Sequence, residues 1–465
     1  VVYVATAPKS NAIYTAYKDA ISLAKRRKQT EALELFKRAL VSYEENLGPA
    51  HPDYCFALSR IAAQYYGRGQ ARLTEQETLA WKMLSALEKQ PSPDDLEIAQ
   101  TLVLLSDVSG ANGDFSKARE LLQQSVSVIE RHHGVSHPAL ISPLAATASL
   151  ARSLNDYEQA AQIYRRLQGI EKEVSGPEHP NVLYADYEIA YLYLLNRDFL
   201  RAENLYLKLL ESLKKSVASD HPRIVGVLVD LSKLHRDQND YVKAEQYLRQ
   251  ALLILSKKFG AESLEAASLL NKLGLLSSDQ KKYDEAEELF RRWLKIVEKR
   301  LGKHHSSVAS GLNNLGLVNS GRKDYERAEK YFKQALAIAE RTYGPDKLAS
   351  VTFLFNLSLV YREQGNYIES EKLLMKILPI REKALGPHHI DIANTYYWLA
   401  ALYRLKGDYP QATAWATRCL DVVEKNAAGA VGKLVVVGVA GNKAQAVERL
   451  NLGAAPAAVA HACVA

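Results

Sequence analysis

The apolar and polar positions of the chain follow a helical pattern. In one predicted helix after another, a large apolar residue stands directly before a small one, as in the pairs Leu273–Gly274 and Leu315–Gly316. The small residue lets two helices approach closely, and the large residue completes the stripe that faces the partner helix. The pattern therefore predicts an all-α chain of paired helices. The large residues of this stripe are Leu105, Ile189, Leu231, Leu273, Leu315, Leu357 and Leu399.

From the third repeat to the tenth, the helices return at a constant interval of 42 residues. The second helix of each pair has an aromatic residue with a small residue three positions later, and a glycine marks where that helix ends. Glycine suits a left-handed helix C-terminus, and the proline of the following His-Pro pairs suits a first helical turn. Each unit is therefore predicted to be helix, turn, helix and linker. The aromatic residues are Phe115, Tyr157, Phe199, Tyr241, Tyr283, Tyr325, Tyr367 and Tyr409, and the glycines are Gly134, Gly176, Gly260, Gly302, Gly344 and Gly386, with Ala218 as a single replacement.

This register predicts ten helical hairpins that stack on their neighbours. A lead, residues 1–11, precedes them, and a two-residue insertion falls near residues 67–74. An Ala/Val/Gly-rich tail, residues 426–465, follows as a cap or a disordered segment. The packing position of the second helices is small in every hairpin except at Gln76. The hairpins span about 12–50, 53–92, 96–134, 139–176, 181–218, 223–260, 265–302, 307–344, 349–386 and 391–425.

The repeat resembles the tetratricopeptide repeat (TPR). The resemblance rests on the pair Leu315–Gly316 in a first helix and on Ala328 with Phe332 in the second helix of that repeat. In the next repeat, Tyr361 follows the equivalent pair by one helical turn. The unit is longer than the usual 34 residues, and linkers such as LGPHHIDIA are similar to those of kinesin light chains. The resemblance implies a TPR-type α–α superhelix, or solenoid, that binds protein partners on a concave surface lined by the first helices.

Composition and charge narrow the function classes. The net charge of +7 over 465 residues, with acids and bases interspersed, gives no stripe for nucleic acid. No apolar run approaches the ~20 residues that span a bilayer. Three distant cysteines fit an intracellular and first of all cytoplasmic compartment, with an organelle or the cytoskeleton left open. No nucleophile motif or metal-ligand spacing stands out, so we expect no enzyme, no cofactor and no metal.

Asparagines on the first helices are candidates for gripping a partner. The resemblance places Asn314 and Asn356 where the family's asparagine holds the backbone of a bound extended peptide, and Asn271 and Asn313 stand one residue earlier. A carboxamide both donates and accepts, so it can pair with a peptide group of any sequence. We therefore expect a backbone clamp in repeats eight and nine.

Arginines one turn further along the first helices predict the charge of the partner. Arg362 and Arg404, with Arg152 and Arg236 at the matching position of earlier repeats, can hold carboxylates through two hydrogen bonds each. An acidic protein or peptide is therefore the preferred ligand. The alternative interpretation is that these arginines are solvated helix residues.

Aromatic residues distinguish the fifth and tenth repeats. In the fifth repeat, the spacing of Tyr184, Tyr187 and Tyr191 places them on one helical stripe. In the tenth repeat, Tyr397 and Trp398 are adjacent in the first helix. Exposed aromatic residues often anchor partners. The alternative is that the tyrosines contact the adjacent first helices inside the superhelix.

The sequence therefore favours a non-enzymatic scaffold or adapter that binds a segment of a protein partner in its groove. Two alternatives stay open. In the first alternative, the chain is an architectural component of a larger complex. In the second, it is the regulatory arm of a larger multidomain protein.

Overall fold

The computed structural model describes residues 70–90, 92–216 and 220–427, together with isolated positions between 19 and 54. Over these residues it contains seventeen α-helices, one short 3-10 helix and no strand, which confirms the all-α prediction. Other predictions lie outside the described residues: the first hairpin as a unit, the first helix of the second hairpin, the start of the insertion segment, the replacement at Ala218, and the tail beyond residue 427.

The helix bounds follow the predicted alternation. Helix α1, Gln70–Glu88, is the second helix of a hairpin, and each later pair has a first and a second helix. The first helices are α2 (Asp95–Ala111), α4 (Ile141–Ser153), α6 (Pro180–Leu195), α8 (Pro222–Asp237), α10 (Leu264–Asp279), α12 (Ser306–Gly321), α14 (Leu348–Glu363) and α16 (Ile390–Leu405). The second helices are α3 (Phe115–His133), α5 (Tyr157–Ser175), α7 (Phe199–Ser216), α9 (Tyr241–Phe259), α11 (Tyr283–Leu301), α13 (Tyr325–Tyr343), α15 (Tyr367–Leu385) and α17 (Tyr409–Ala427).

The chain divides into two compact units, Val1–Leu234 (unit 1) and His235–Ala465 (unit 2). Inside each unit, helices that follow each other in the chain pack together, as α2 does with α3 and α12 with α13. No helix in the described part of the chain is both long and apolar enough to cross a membrane. Those same residues hold no cluster of three or more His, Cys, Asp or Glu side chains suited to a metal ion.

The turn inside each hairpin uses one backbone conformation whatever the side chain. One residue of the turn has a positive φ in every described hairpin, and glycine fills this position in only three of them. An L side chain in this region is strained, although asparagine tolerates it better than most. Packing of the two helices therefore imposes the turn on the other residues. These are Asn155, Arg197, Asn239, Lys281 and Lys323, with φ of 60°, 59°, 63°, 59° and 65°.

The residue before the aromatic caps the second helix in every described hairpin from the third onward except one. Asp156 accepts the backbone N–H of Gln159 at 3.1 Å, and Asp324 accepts that of Arg327 at 3.1 Å. These bonds satisfy a donor that the first helical turn leaves without a partner. Lys282, which holds this position before α11, gives no side-chain hydrogen bond to the helix.

The linker glycines have the predicted positive φ, but not the predicted conformation. Gly302 has φ 89° and ψ 154°, a combination far from the left-handed helix and open almost only to glycine. The linker histidines then cap the first helices. Nδ1 of His305, for example, accepts the N–H of Ser307 at 3.2 Å.

Small residues allow rings to enter the space between paired helices. A Cβ atom added to Gly316 would lie 2.6 Å from the Phe332 ring, and one added to Gly274 would lie 2.7 Å from the Phe290 ring. Glycine and phenylalanine are therefore matched across these two hairpins. Gln76, the exception in the sequence pattern, is also buried, and its Nε2 has no hydrogen-bond partner in the described part of the chain.

Candidate functional site

Six of the candidate site residues lie where successive first helices meet. Along this line, which we call the seam, a residue of one first helix contacts the residue 43 positions later on the next one. Four such pairs define the seam. They are Tyr187 with Asp230 in unit 1, and Asn271 with Asn314, Asn313 with Asn356, and Phe355 with Trp398 in unit 2.

The four predicted asparagines are brought together in two pairs. Nδ2 of Asn314 donates to Oδ1 of Asn271 at 2.9 Å, and Nδ2 of Asn356 donates to Oδ1 of Asn313 at 2.8 Å. All four side chains are half-buried. The described residues offer these amides no further hydrogen bond, so each pair retains one carbonyl acceptor and unused N–H donors. A peptide group could use both.

An aromatic and arginine cluster continues the seam at the end of unit 2. The Trp398 ring meets Phe355 edge to face at 5.9 Å and Tyr397 at 5.4 Å between ring centres. The Arg362 guanidinium lies over the Trp398 ring at 4.6 Å, and its Nε donates to Glu363 at 3.1 Å. Arg362 is therefore largely engaged within the chain, and an acidic ligand must displace Glu363 to use both of its donor edges.

The other predicted arginines differ in how much of their hydrogen-bonding capacity is used. Nε of Arg236 lies 3.8 Å from Asp237 and 3.7 Å from Asp279, so an acidic ligand would compete with two carboxylates. Arg404 is half-buried, and within the described residues its Nε atom has no hydrogen-bond partner. Because this Nε atom is itself buried, a ligand carboxylate cannot reach it, and Arg404 could bind an acidic ligand only through its other N–H groups.

The predicted tyrosine stripe of unit 1 is split between the seam and the surface. The hydroxyl of Tyr187 donates to Asp230 of the next first helix at 2.5 Å, and its ring stacks 6.5 Å from that of Tyr191. Lys233 lies 5.8 Å from the centre of the Tyr191 ring. Tyr184, in contrast, is 49% exposed. Contact with the adjacent first helix therefore accounts for Tyr187, whereas Tyr184 remains accessible to a partner.

Burial and hydrogen bonding extend to higher pH the range in which these tyrosines stay protonated. Burial and then the hydrogen bond with Glu188 raise the pKa of Tyr184 to about 12. Burial and then the hydrogen bond with Asp230 raise the pKa of Tyr187 above its ordinary value. Near neutral pH both hydroxyls are therefore donors to carboxylates rather than anions.

The sequence pattern did not identify the seam partners or the space between the helices. Asp230 and Phe355 pair with predicted residues at an offset of 43, which comparison of the repeats at 42 residues overlooks. Gly226 lies inside α8, and a Cβ atom added to it would meet nothing within 4 Å. A glycine inside a predicted helix was the available sequence signal for open space at this position.

Comparison with known proteins identifies the repeat. A family model described as tetratricopeptide repeat matches residues 97–170, 181–257, 264–341, 307–366 and 348–425, and a second model of the same description matches residues 20–53. The first model alone covers more than half of the chain. The chain belongs to the tetratricopeptide repeat family. No curated protein matches the sequence.

Several solved TPR-like structures are similar. They include a candidate kinesin light chain of Podosopora anserina with nearly identical TPR-like repeats, 20% identical over 44% of this chain and 98% of that one, with a TM-score of 0.39. BtubC (BKLC) from P. vanneervenii is 24% identical over 53% and 92% of the two chains, with a TM-score of 0.41. The apo quorum sensor NprR from B. thuringiensis is 14% identical over 82% and 99%, with a TM-score of 0.50.

The family assignment indicates the general role of the surface that contains the seam. Tetratricopeptide proteins are in general non-catalytic scaffolds for protein interaction, and a solenoid of such repeats displays its first helices side by side. The predicted tetratricopeptide resemblance is therefore confirmed. Within each unit, the surface that the first helices expose is called the first-helix face below.

Proposed function

We propose that this tetratricopeptide protein is a non-enzymatic adapter that binds an extended segment of a protein partner on its first-helix face. The observation that carries the proposal is the row of asparagine pairs in unit 2, because each pair retains an acceptor and donors at the spacing of successive helices. Arginines on the first helices of the same unit, Arg236, Arg362 and Arg404, support an acidic segment. The three scattered cysteines support an intracellular location as part of the same proposal.

Crosslinking mass spectrometry on the protein purified from its cells tests the proposal first. We expect crosslinks from the partner to concentrate on first-helix lysines such as Lys233 and Lys272, rather than on the exposed second-helix residues Lys208 and Lys330. Crosslinks confined to second-helix lysines would contradict the proposal.

Substitution of the seam then tests which residues hold the partner. The triple variant Asn314→Ala, Asn356→Ala and Arg362→Ala is expected to weaken binding of the crosslinked partner about tenfold or more, because several hydrogen bonds are lost. Arg292→Ala, an exposed change on the second helix α11, is the matched control and should bind normally. Unfolding curves of both variants separate lost contacts from lost structure. Normal binding by a folded triple variant would contradict the proposal that the first-helix face binds the partner.

A second candidate function is an architectural subunit of a larger assembly. The observation that favours it is the same asparagine row, because each amide already has a partner on the next helix and so contributes to the seam itself. In that case crosslinks should spread over second-helix residues and helix ends. The triple variant should then change the stability of the chain more than its binding.

A further inference from the structure

Unit 1 contains two apolar clefts in the same register of the repeat. One, of about 380 Å³, lies between α2 and α4 over α3 and includes Ala99, Val103 and Ile129 in its lining. The other, of about 420 Å³, lies between α6 and α8 over α7 and includes Leu183, Tyr187 and Leu213. The second set stands 84 residues, or two repeats, after the first. The clefts are therefore equivalent positions of two different repeats.

Both clefts open on the first-helix face of unit 1. In each case two first helices form the walls and the second helix between them forms the floor, with Ile129 on one floor and Leu213 on the other. The repeat between the clefts is bridged instead by polar contacts, such as the hydrogen bond of 3.1 Å from Asn181 to Glu171. A ligand on this face therefore meets two apolar sites separated by a polar stretch.

The spacing of the clefts sets the spacing of the groups that can fill both. Packed helices lie ~10 Å apart, so two steps from one first helix to the next give ~20 Å between the clefts. An extended chain advances ~3.3 Å per residue, so roughly six residues of an extended segment cover this distance. A helical segment would need about thirteen.

The rims of the two clefts carry different chemistry. Arg223 lines the α6–α8 cleft and is exposed, and its Nη1 donates to the carbonyl of Pro180 at 3.1 Å. In the described part of the chain its guanidinium has no carboxylate partner, so several N–H groups remain for a ligand. The equivalent residue of the other cleft is Ala139. Charge complementarity therefore places an acidic side chain at one end of the ligand only.

We propose that unit 1 binds an extended segment of a partner protein that carries two bulky apolar side chains about six residues apart, with an acidic side chain beside the one that enters the α6–α8 cleft. The proposal deepens and rests on the proposed function. It assigns the open space at Gly226 and the exposed Tyr184 ring to capture of the second apolar side chain.

Synthetic probe peptides with the full-length protein test the proposal. Each fluorescein-labelled peptide holds two phenylalanines in a Ser/Gly background, about three, six, nine or thirteen residues apart, with or without an aspartate beside one of them. Fluorescence anisotropy gives the affinities. We expect the tightest binding at about six residues, and a gain of several-fold from the aspartate that Arg223→Ala removes.

Variants that fill the clefts give the second readout. Gly226→Leu should place a side chain in the α6–α8 cleft and weaken the best probe about tenfold. Ser142→Leu, at the equivalent position of the other cleft, should have a similar effect. The matched control is Gly169→Leu, an exposed glycine on the second helix α5 whose added Cβ atom also meets nothing within 4 Å. It should bind the probe normally.

Several outcomes would overturn the proposal. They are equal affinity at every spacing, an optimum at thirteen residues that indicates a helical partner, no binding of any probe at millimolar concentration, or normal binding by folded Gly226→Leu. A stoichiometry of two chains per complex without a probe would assign the clefts to a second copy. The proposed function fails separately, since it depends on crosslinks to the natural partner and on the seam of unit 2.

Discussion

The cleft between α6 and α8 in unit 1 and the equivalent place in unit 2 have the same helices but different contents. In unit 1, Leu209 lies on the floor and Gly226 on the wall has open space beside it. In unit 2, the floor residue two repeats later is Trp293, and Gly311 stands at the wall position that Val227 holds in unit 1. A Cβ atom added to Gly311 would lie only 2.1 Å from the Trp293 ring. The tryptophan ring therefore packs in a core cluster with Ala267 and Val297, where the equivalent residues of unit 1 line an open cleft.

This difference teaches that one repeat pattern can produce both a binding cleft and a closed core. The helix positions depend on the alternation of apolar and polar residues, which the two units share. Whether a cleft stays open depends on the volumes of a few side chains, because protein interiors otherwise pack to high density. Exchange of those volumes is therefore the most direct way to break the comparison.

The largest expected effect is at Gly311. Gly311→Ala should destabilise unit 2 by roughly 2–3 kcal/mol, because the added methyl group overlaps a buried ring that other side chains hold in place. Gly226→Ala in unit 1 should instead raise stability by up to about 1 kcal/mol, because alanine favours the helix and the space is open. Urea unfolding followed by circular dichroism measures both.

A compensating change sharpens this result. Gly311→Val combined with Trp293→Leu carries the unit 1 residues Val227 and Leu209 into unit 2, and we expect it to recover most of the lost stability and to open a cleft there. Hydrogen exchange of α12 localises the effect. If Gly311→Ala leaves the free energy of unfolding unchanged, the Trp293 ring does not pack as closely against α12 as described.

The next effect concerns the two kinds of seam. Tyr187→Phe removes a hydrogen bond to a carboxylate and should cost about 2 kcal/mol, whereas Asn356→Ala removes a bond between neutral amides and should cost about 1 kcal/mol. Thermal and urea unfolding give the two values. Equal costs, or a larger cost in unit 2, would remove the distinction between a charged and a neutral seam.

High pH provides an independent test of the unit 1 seam. Because the pKa of Tyr187 is raised in the folded protein, its contribution to stability is complete below the ordinary tyrosine pKa of about 10 and is lost as pH rises further. The wild type should therefore lose stability above about pH 10 more steeply than Tyr187→Phe. Parallel pH profiles for the two proteins would contradict this assignment.

The sequence was sufficient for the repeat and for most of the helix ends. Aromatic residues such as Tyr283 begin the second helices, and glycines such as Gly302 follow their ends, because these roles depend on local backbone geometry. The left-handed helical conformation predicted for Gly302 is wrong in its ψ angle. The direction of the linker that follows Gly302 decides this angle. The role of His305 as a helix cap was missed, although its position before the first turn was a usable signal.

The candidate site was less accessible to sequence reasoning. The asparagines were placed on the right helices, but their pairing requires the sideways offset of neighbouring helices, which no single repeat encodes. The clefts depend on the sizes of residues from three helices, so Leu209 carries no signal when it is considered alone, and Gly226 indicates open space only at its own position. Periodicity predicts where residues lie, and side-chain volume decides what space remains.

A smaller effect is expected from a defect of the second unit. Lys282→Asp should raise stability by about 1 kcal/mol, because an aspartate can accept the N–H group that the lysine leaves uncapped at the start of α11. Asp156→Ala, at the start of α5 in unit 1, should lower stability by a similar amount and serves as the mirror control. No gain from Lys282→Asp would mean that Asp284 and Glu285 in the first turn already cancel the benefit through charge repulsion.

The smallest effect tests whether the hairpin turns of the two units are the same. Arg197 in unit 1 and Lys281 in unit 2 both have φ of 59°, where an L side chain is strained. Replacement by glycine relieves that strain but also loosens the unfolded chain, so each change should gain only about half a kcal/mol. Asn239→Gly is the control, since asparagine tolerates this conformation, and its stability should change little.

Unfolding midpoints of the three variants, measured in one buffer, test this prediction. Similar gains for Arg197→Gly and Lys281→Gly mean that helix packing dictates the turn in both units, and that the units differ in the filling of their clefts rather than in their backbone. A gain in one unit alone would trace the open cleft of unit 1 back to the geometry of its hairpins.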